Sequence, residues 1–350
     1  MNIEILKDSE LEIWDEFVAG NKNGSFFNTS PWLKTINQTY SFPYYCIVKK
    51  EGNAIKSGIS IIETDSLIFG RKFVSNPFSL YSSIIYNNET DCREIIDFIL
   101  DFAKKRDVKS IELRLYNVLP AICDLKKMNI RVVPVLNLEG SYEDTFRNYK
   151  KQFRTNIRAI IKKIEANKRF SIQIGCELKD YEDFYSVLLK LFKNKHHMLP
   201  SPYRFFVNLK NNVKNHRLYL IRYDKKAVAG IIIYLFRDKA YYAYSASDEE
   251  FDEYSVSTYL LNHIIMKLHS SGIKEMDLGV TSIQSKNLLF YKTRWGSSIT
   301  NPNLYFISFN NSKFKDISAE TSFIKYRKFI KYIPLSVFEL MTDKLYRHLT

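Results

Sequence analysis

Two stretches of this chain lie over one another without a gap: residues 95–115 (IIDFILDFAKKRDVKSIELRL) and residues 260–280 (LLNHIIMKLHSSGIKEMDLGV). In each, apolar residues at helical spacing run into a short segment that alternates apolar and polar. That is the pattern of an amphipathic helix followed by a strand. In the second copy Tyr259, Leu260, Leu261, Ile264, Ile265 and Leu268 mark the apolar face, and Gly272 ends the helix. Glycine suits that place because the first residue past a helix often turns left-handed. The strands pair Val108 with Ile273, Ile111 with Met276, Leu113 with Leu278 and Leu115 with Val280, while Phe98 falls on His263. Helix–strand units resemble one another by chance, but an offset of about half the chain makes internal duplication the better reading.

The surroundings agree. Tyr44–Lys50 and Ala54–Ile62 read as a strand pair turning at Glu51-Gly52-Asn53, with further strand-like chain through Phe73–Tyr86. Before the second copy come Arg217–Tyr223, Ala227–Phe236 and Lys239–Ser245. A meander followed by helix and strand, present twice, predicts an α/β (α+β) fold with mixed sheets. The chain is long enough for two cores. We place one domain over 1–140 and a second over 141–312, led in by a single long basic helical segment at 142–168. Ser9 and Ser30-Pro31 start two early helices, and Asn303–Phe309 gives a last strand. Residues 313–350 form a basic tail that interleaves Lys and Arg with apolar residues from Ile324 to Tyr332. Such a tail either docks back on the body or lies on an anionic membrane face.

The net charge of +14 bears on partners rather than fold. It suits polyanions: RNA, pyrophosphate-linked substrates or an anionic membrane. Cys46, Cys92, Cys123 and Cys176 lie far apart with no CxxC pair, so neither a zinc framework nor a disulfide scaffold is expected. The first residues carry acids where a signal peptide needs a basic start, and no apolar run approaches the roughly 20 residues of a spanning helix. The expectation is a cytoplasmic protein, in contact at most with the inner face of the membrane.

Four stretches, in order, resemble the FemAB-type transferases. Leu289-Phe290-Tyr291-Lys292-Thr293-Arg294-Trp295-Gly296 is similar to an aromatic-Lys-x-x-Trp-Gly segment that follows the same helix and strand in that family. Phe26-Phe27-Asn28-Thr29-Ser30-Pro31-Trp32-Leu33 resembles its N-terminal Phe-Gln-Ser-x-x-Trp signature, with Asn28 and Thr29 as departures. Phe153 to Arg158 resembles its Arg-rich helix start, and Lys195-His196-His197-Met198-Leu199-Pro200 its Arg-His-Gly-x-Pro segment, with His197 in place of Gly. The resemblance implies a pair of GNAT-like acyltransferase domains and acyl transfer onto an amine. Some members take an amino acid from aminoacyl-tRNA for peptidoglycan cross-bridges; others are linked to surface polysaccharide and draw on acyl-CoA or a carrier protein. A third reading is a non-catalytic RNA- or membrane-binding relative.

Within that resemblance the donor site is informative. A GNAT domain normally holds the CoA pyrophosphate on backbone N–H groups of a Gly-rich turn opening its central helix. Here that place reads Phe251-Asp252-Glu253-Tyr254-Ser255-Val256-Ser257, without glycine and with two carboxylates. Asn87 to Asp91 in the first half is no better. This tips the expected donor toward aminoacyl-tRNA over acyl-CoA. Lys292 is the candidate cation for the developing oxyanion, or for the donor's phosphate, and Tyr291 would pack on the donor. Arg154 and Arg158, one turn apart, would clamp the phosphate of an amine acceptor, with Lys34 beside Trp32, and Arg294, as further substrate-binding candidates. Asp248, Glu249, Glu250, His196 and His197 are unranked candidate bases. No metal or resident cofactor is expected.

Overall fold

The computed structural model describes residues 2–78, 80–123, 125–309 and 329–349. The first half runs β1 (Asn2–Ile5), α1 (Leu11–Gly20), α2 (Ser30–Tyr40), β2 (Tyr44–Glu51), β3 (Ala54–Ser66), β4 (Gly70–Val74), α3 (Glu89–Lys105), β5 (Ser110–Leu115), β6 (Lys127–Met128) and β7 (Arg131–Asn137). The second begins with α4 (Tyr142–Asn148), α5 (Lys151–Glu165), β8 (Phe170–Gly175), α6 (Leu178–Leu191) and α7 (Tyr203–Asn212). It continues through β9 (His216–Tyr223), β10 (Lys226–Phe236), β11 (Lys239–Ser247), α8 (Val256–His269), β12 (Glu275–Asp277), β13 (Thr281–Ser282), α9 (Lys286–Thr293), β14 (Ser298–Thr300) and β15 (Asn303–Ser308). A C-terminal helix follows at Leu335–Leu345.

The chain divides into two compact units. The first takes the residues up to Val132 together with β15; the second takes Val133–Thr300 and the C-terminal helix. Their sheets run β1-β2-β3-β4-β5-β15-β6 and β8-β9-β10-β11-β12-β7-β13, with β14 also on β7. The two orders match strand for strand through the fifth position. In both, an antiparallel meander is followed by a helix and then a strand parallel to the last of the meander: β4 with β5, and β11 with β12. The duplication expected from residues 95–115 and 260–280 is present as α3–β5 and α8–β12. At the sixth position each sheet uses a strand from the other half of the chain, β15 beside β5 and β7 beside β12.

The repeated apolar positions are core positions. Ile95, Ile96, Ile99 and Ala103 of α3 cluster with Ile59, Ile61, Phe73, Ile111 and Leu113. Leu260, Ile264, Ile265 and Leu268 of α8 cluster with Ile231, Ile233, Ala240 and Met276. Burying each such side chain contributes roughly 1.5–3 kcal/mol, so the two helices fasten the two sheets independently. On the opposite face of the first sheet, β4 and β5 bury an ionic cluster: Lys72 Nζ lies 2.5 Å from Glu112 Oε1, and Arg114 holds the other carboxylate oxygen.

Three local expectations change. The segment 142–168 is two helices, because Tyr149 and Lys150 are extended (ψ 147° and 137°). The strand expected over Ile273–Leu278 shortens to β12. Within Phe73–Tyr86 the ladder ends at Val74, and beyond it regular pairing gives way to isolated bridges at Ser82 and Ile85. The basic tail is described from Phe329 onward; its stretch Phe314 to Lys328 lies outside the described residues.

Candidate active site

β11 and β12 pair only over Lys239–Tyr241 and Glu275–Asp277, while β11 stays bonded to β10 as far as Ser247. Past Asp277 the chain keeps only its bond to β7, Leu278 N donating to Pro134 O at 2.9 Å. The two parallel strands therefore part, and the edge of β11 from Tyr242 onward has no strand ladder on that side among the described residues. In the first unit the same parting begins after Val74 and Glu112, but the chain itself spans it. Ser75 N donates to Glu112 O at 3.0 Å, Ser75 Oγ bonds both Arg114 N and Arg114 O, and Ser82 N donates to Arg114 O at 2.9 Å. Its helix N-terminus is closed too: Asn88 Oδ1 caps Asp91 N, and Lys49 and Ser57 bind the Asp91 carboxylate. Of the two matching slots, the second unit's has no backbone bridging it among the described residues, and in that sense it is open.

Lys292, from the last turn of α9, reaches the mouth of that slot. Its side chain is buried, and Nζ donates to Gly279 O at 2.7 Å, on the loop leaving β12, and to Thr281 Oγ1 at 2.9 Å, at the start of β13. Gly279 sits at φ +84°, and a Cβ there would lie 3.3 Å from Tyr242 O and 3.4 Å from Lys292 Nζ. The positive φ, more than the tight space, calls for glycine here. Burial pushes the Lys292 pKa down to about 8, with the nearby Asp277 carboxylate acting the other way. At neutral pH the group is a cation held by two acceptors, with one N–H left to give. Thr281→Ala removes one acceptor of the charged form, worth about 1 kcal/mol. It is expected to move the alkaline fall of activity to lower pH, read from a kcat/KM–pH profile.

The neighbouring residues explain the break between α4 and α5. Trp295 is fully buried, with Tyr149 and Phe153 edge-on to it at 5.2 and 4.8 Å. Lys150 N donates to Arg294 O at 3.0 Å. Gly296, at φ +77°, passes so close that a Cβ would lie 2.6 Å from Asn148 O. The helix is opened by α9 docking into it. Tyr291 is half-buried and packs on Trp295 at 6.3 Å, burial raising its phenol pKa. The Arg294 guanidinium lies between the rings of Tyr291 (4.5 Å) and Phe153 (4.2 Å).

The other sequence candidates fall as follows. Arg154 Nη1 donates to Arg147 O and Tyr149 O (2.5 and 2.8 Å), closing the end of α4 and leaving the rest of its guanidinium for a ligand. Arg158 is exposed, 5.2 Å from the Phe146 ring. Trp32 belongs to the first unit's core, where its Nε1 donates to Asn76 Oδ1, and is no ligand surface. Lys34 is exposed on a cleft of about 590 Å³ shared with Asp8, Glu12, Asp15 and Glu16, a setting that repels phosphate. Asp248, Glu249 and Glu250 pair with Lys226 or Lys195. His197 Nδ1 faces Lys193 O, and burial, then Lys195, lowers the His196 pKa. Thr281 and Asp277 were missed, since neither has a motif and only the fold brings them to Lys292.

The N-terminus of α8 is approached through a 3-10 turn, Glu249–Tyr254, whose acids are tied down by lysines: Lys163 to Glu253 at 3.0 Å and Lys195 to Asp252 at 3.2 Å. Ser255 stands in the left-handed region where the chain enters the helix. A pyrophosphate there would meet carboxylates.

Residues 151–292 match the family model described as an acetyltransferase (GNAT) domain. This part of the chain is similar to GNAT acyltransferase domains. No curated protein matches the chain in sequence. Among solved structures, FemX superposes with a TM-score of 0.69 at 12% identity, over 89% of this chain and 98% of that one. L-PGS from Bacillus licheniformis gives 0.59 at 10% identity, over 94% and 98%. A tandem GNAT protein from the clavulanic acid biosynthesis pathway gives 0.56 at 8%, over 89% and 100%. At these identities the likeness is one of fold: the GNAT domain and the unit before it make a tandem GNAT-like architecture.

Proposed function

We propose that the second unit moves an amino acid from aminoacyl-tRNA onto an amine of a nucleotide- or lipid-linked cell-surface precursor. The observation that carries this reading is Lys292, a buried cation at the mouth of the second unit's slot. The acceptor's neutral amine attacks the ester carbonyl and the C–N bond forms; the ester C–O bond then breaks, and the proton the amine nitrogen gives up passes to the departing tRNA oxygen, which leaves as the hydroxyl. Lys292 Nζ stabilises the oxyanion of the tetrahedral intermediate by its remaining N–H, in surroundings dry enough for that bond to count. Tyr291 packs against the donor. Arg154, Arg158 and Arg294 bind phosphate of the donor or acceptor, aided by the net charge of +14. Lys34 and Trp32 take no part.

A second reading is an acyl-CoA- or carrier-dependent N-acyltransferase of surface-polysaccharide synthesis, for which the word acetyltransferase in the family model's description supports the acyl donor alone. The acids before α8 speak against it. Titration calorimetry with acetyl-CoA is expected to show no binding in the micromolar range, while charged tRNA binds and is released by salt. Tight acetyl-CoA binding with indifference to tRNA would replace the first reading by the second.

A further inference from the structure

Of the large hydrophobic side chains exposed among the described residues, only Ile13, Leu67, Ile68 and Val118 lie in the first unit. Six of the rest crowd into the stretch from Phe329 to Leu345. The C-terminal helix in that stretch has two apolar faces. Phe338 and Thr342, four residues apart, are fully buried, and Arg204 pairs with Asp343 at 3.1 Å to hold the helix on the second unit. On the opposite side Val337, Leu340 and Lys344, spaced i, i+3, i+7, face water. The chain just before the helix exposes Phe329 (67%) and Tyr332 (73%), with Lys331 Nζ 4.8 Å from the Tyr332 ring. One apolar face suffices to dock a helix, so the second is unexplained by the fold.

We propose that this outward face, Phe329, Tyr332, Val337 and Leu340 with Lys331 and Lys344, lies on an anionic lipid surface. Aromatic and aliphatic side chains enter the headgroup boundary while lysines meet its negative charge. Glu339 and Asp343 are the helix's acids; Asp343 is neutralised by Arg204, and Glu339 flanks the stripe. Charge selects this occupant over a second copy of the chain, since two copies would each bring a net +14. The proposal stands apart from the reaction assigned above: lipid binding needs no turnover, and loss of turnover would leave it intact.

The test is co-sedimentation of the full chain with vesicles of phosphatidylglycerol and phosphatidylcholine, against phosphatidylcholine alone. Binding to the anionic vesicles, weakened by salt, is expected. The double variant Val337→Ser/Leu340→Ser should bind at least about tenfold more weakly, with an unchanged unfolding midpoint because both side chains are exposed. Phe329→Ser/Tyr332→Ser, outside the helix, should do the same and covers the case of a helix that fails to dock. Absence of binding, or equal binding by parent and both variants, overturns the proposal. So does a parent dimer in sedimentation velocity that the variants dissociate, which would assign the face to a second copy.

Discussion

Lys292→Met is expected to lower kcat/KM for acyl transfer by about 10²–10³-fold at pH 7, the usual cost of losing one oxyanion donor. Its unfolding midpoint should stay near the parent's, because a buried ammonium is replaced by an apolar chain of similar length. The parent's pH profile carries the same claim with a sign. Lys292, with its pKa near 8, is charged below that pH and neutral above it, so a role as cation predicts activity that falls as pH rises through about 8. A role as neutral base predicts the reverse. Stability moves the other way: between about 8 and the ordinary lysine value of 10.5 the unfolded chain holds a proton that the folded chain does not. This group's contribution therefore rises with pH across that window. An alkaline loss of activity cannot then be charged to unfolding at Lys292, and melting curves across the same pH range check it.

Gly296→Ala is expected to cost about 3 kcal/mol or more of the second unit's stability. Two effects add. A non-glycine residue at φ +77° is strained by roughly 1–2 kcal/mol. The new Cβ would also stand 2.6 Å from Asn148 O and 2.8 Å from Asn148 C, backbone atoms that cannot swing aside. Relief requires α9 to withdraw from the junction of α4 and α5, carrying Lys292 from Gly279 and Thr281. Denaturant unfolding should show the lower midpoint, and activity should fall in the fraction that remains folded. Gly272→Ala is the control: its φ is also positive, at +71°, yet no atom lies within 4 Å of the added Cβ. It should cost the backbone strain alone.

The sequence made the repeat legible because burial imposes its own period. Ile95, Ile96 and Ile99 and their partners Leu260, Leu261 and Ile264 must face a sheet, and that need is written into the spacing. The exchange of β7 and β15 was not legible, since an alternating pattern says a strand is half-buried but not which strand lies beside it. The break at Tyr149–Lys150 was hidden for a related reason. Neither residue is a helix breaker; the partners that hold them extended, Arg294 and Trp295, lie far along the chain. Of the site, Lys292, Tyr291 and Arg294 stood out through one continuous segment. Trp32 drew notice through a motif and proved to be core. Lys34 could not be judged without the four carboxylates that the fold gathers around it.

The central claim is that the open slot transfers an aminoacyl group. Purified protein given labelled charged tRNA and labelled acetyl-CoA in parallel, with nucleotide- and lipid-linked amine acceptors, tests it most directly. The account predicts label moving to acceptor from tRNA, and none doing so with Lys292→Met. Label moving from acetyl-CoA alone, or from tRNA equally well without Lys292, would contradict it.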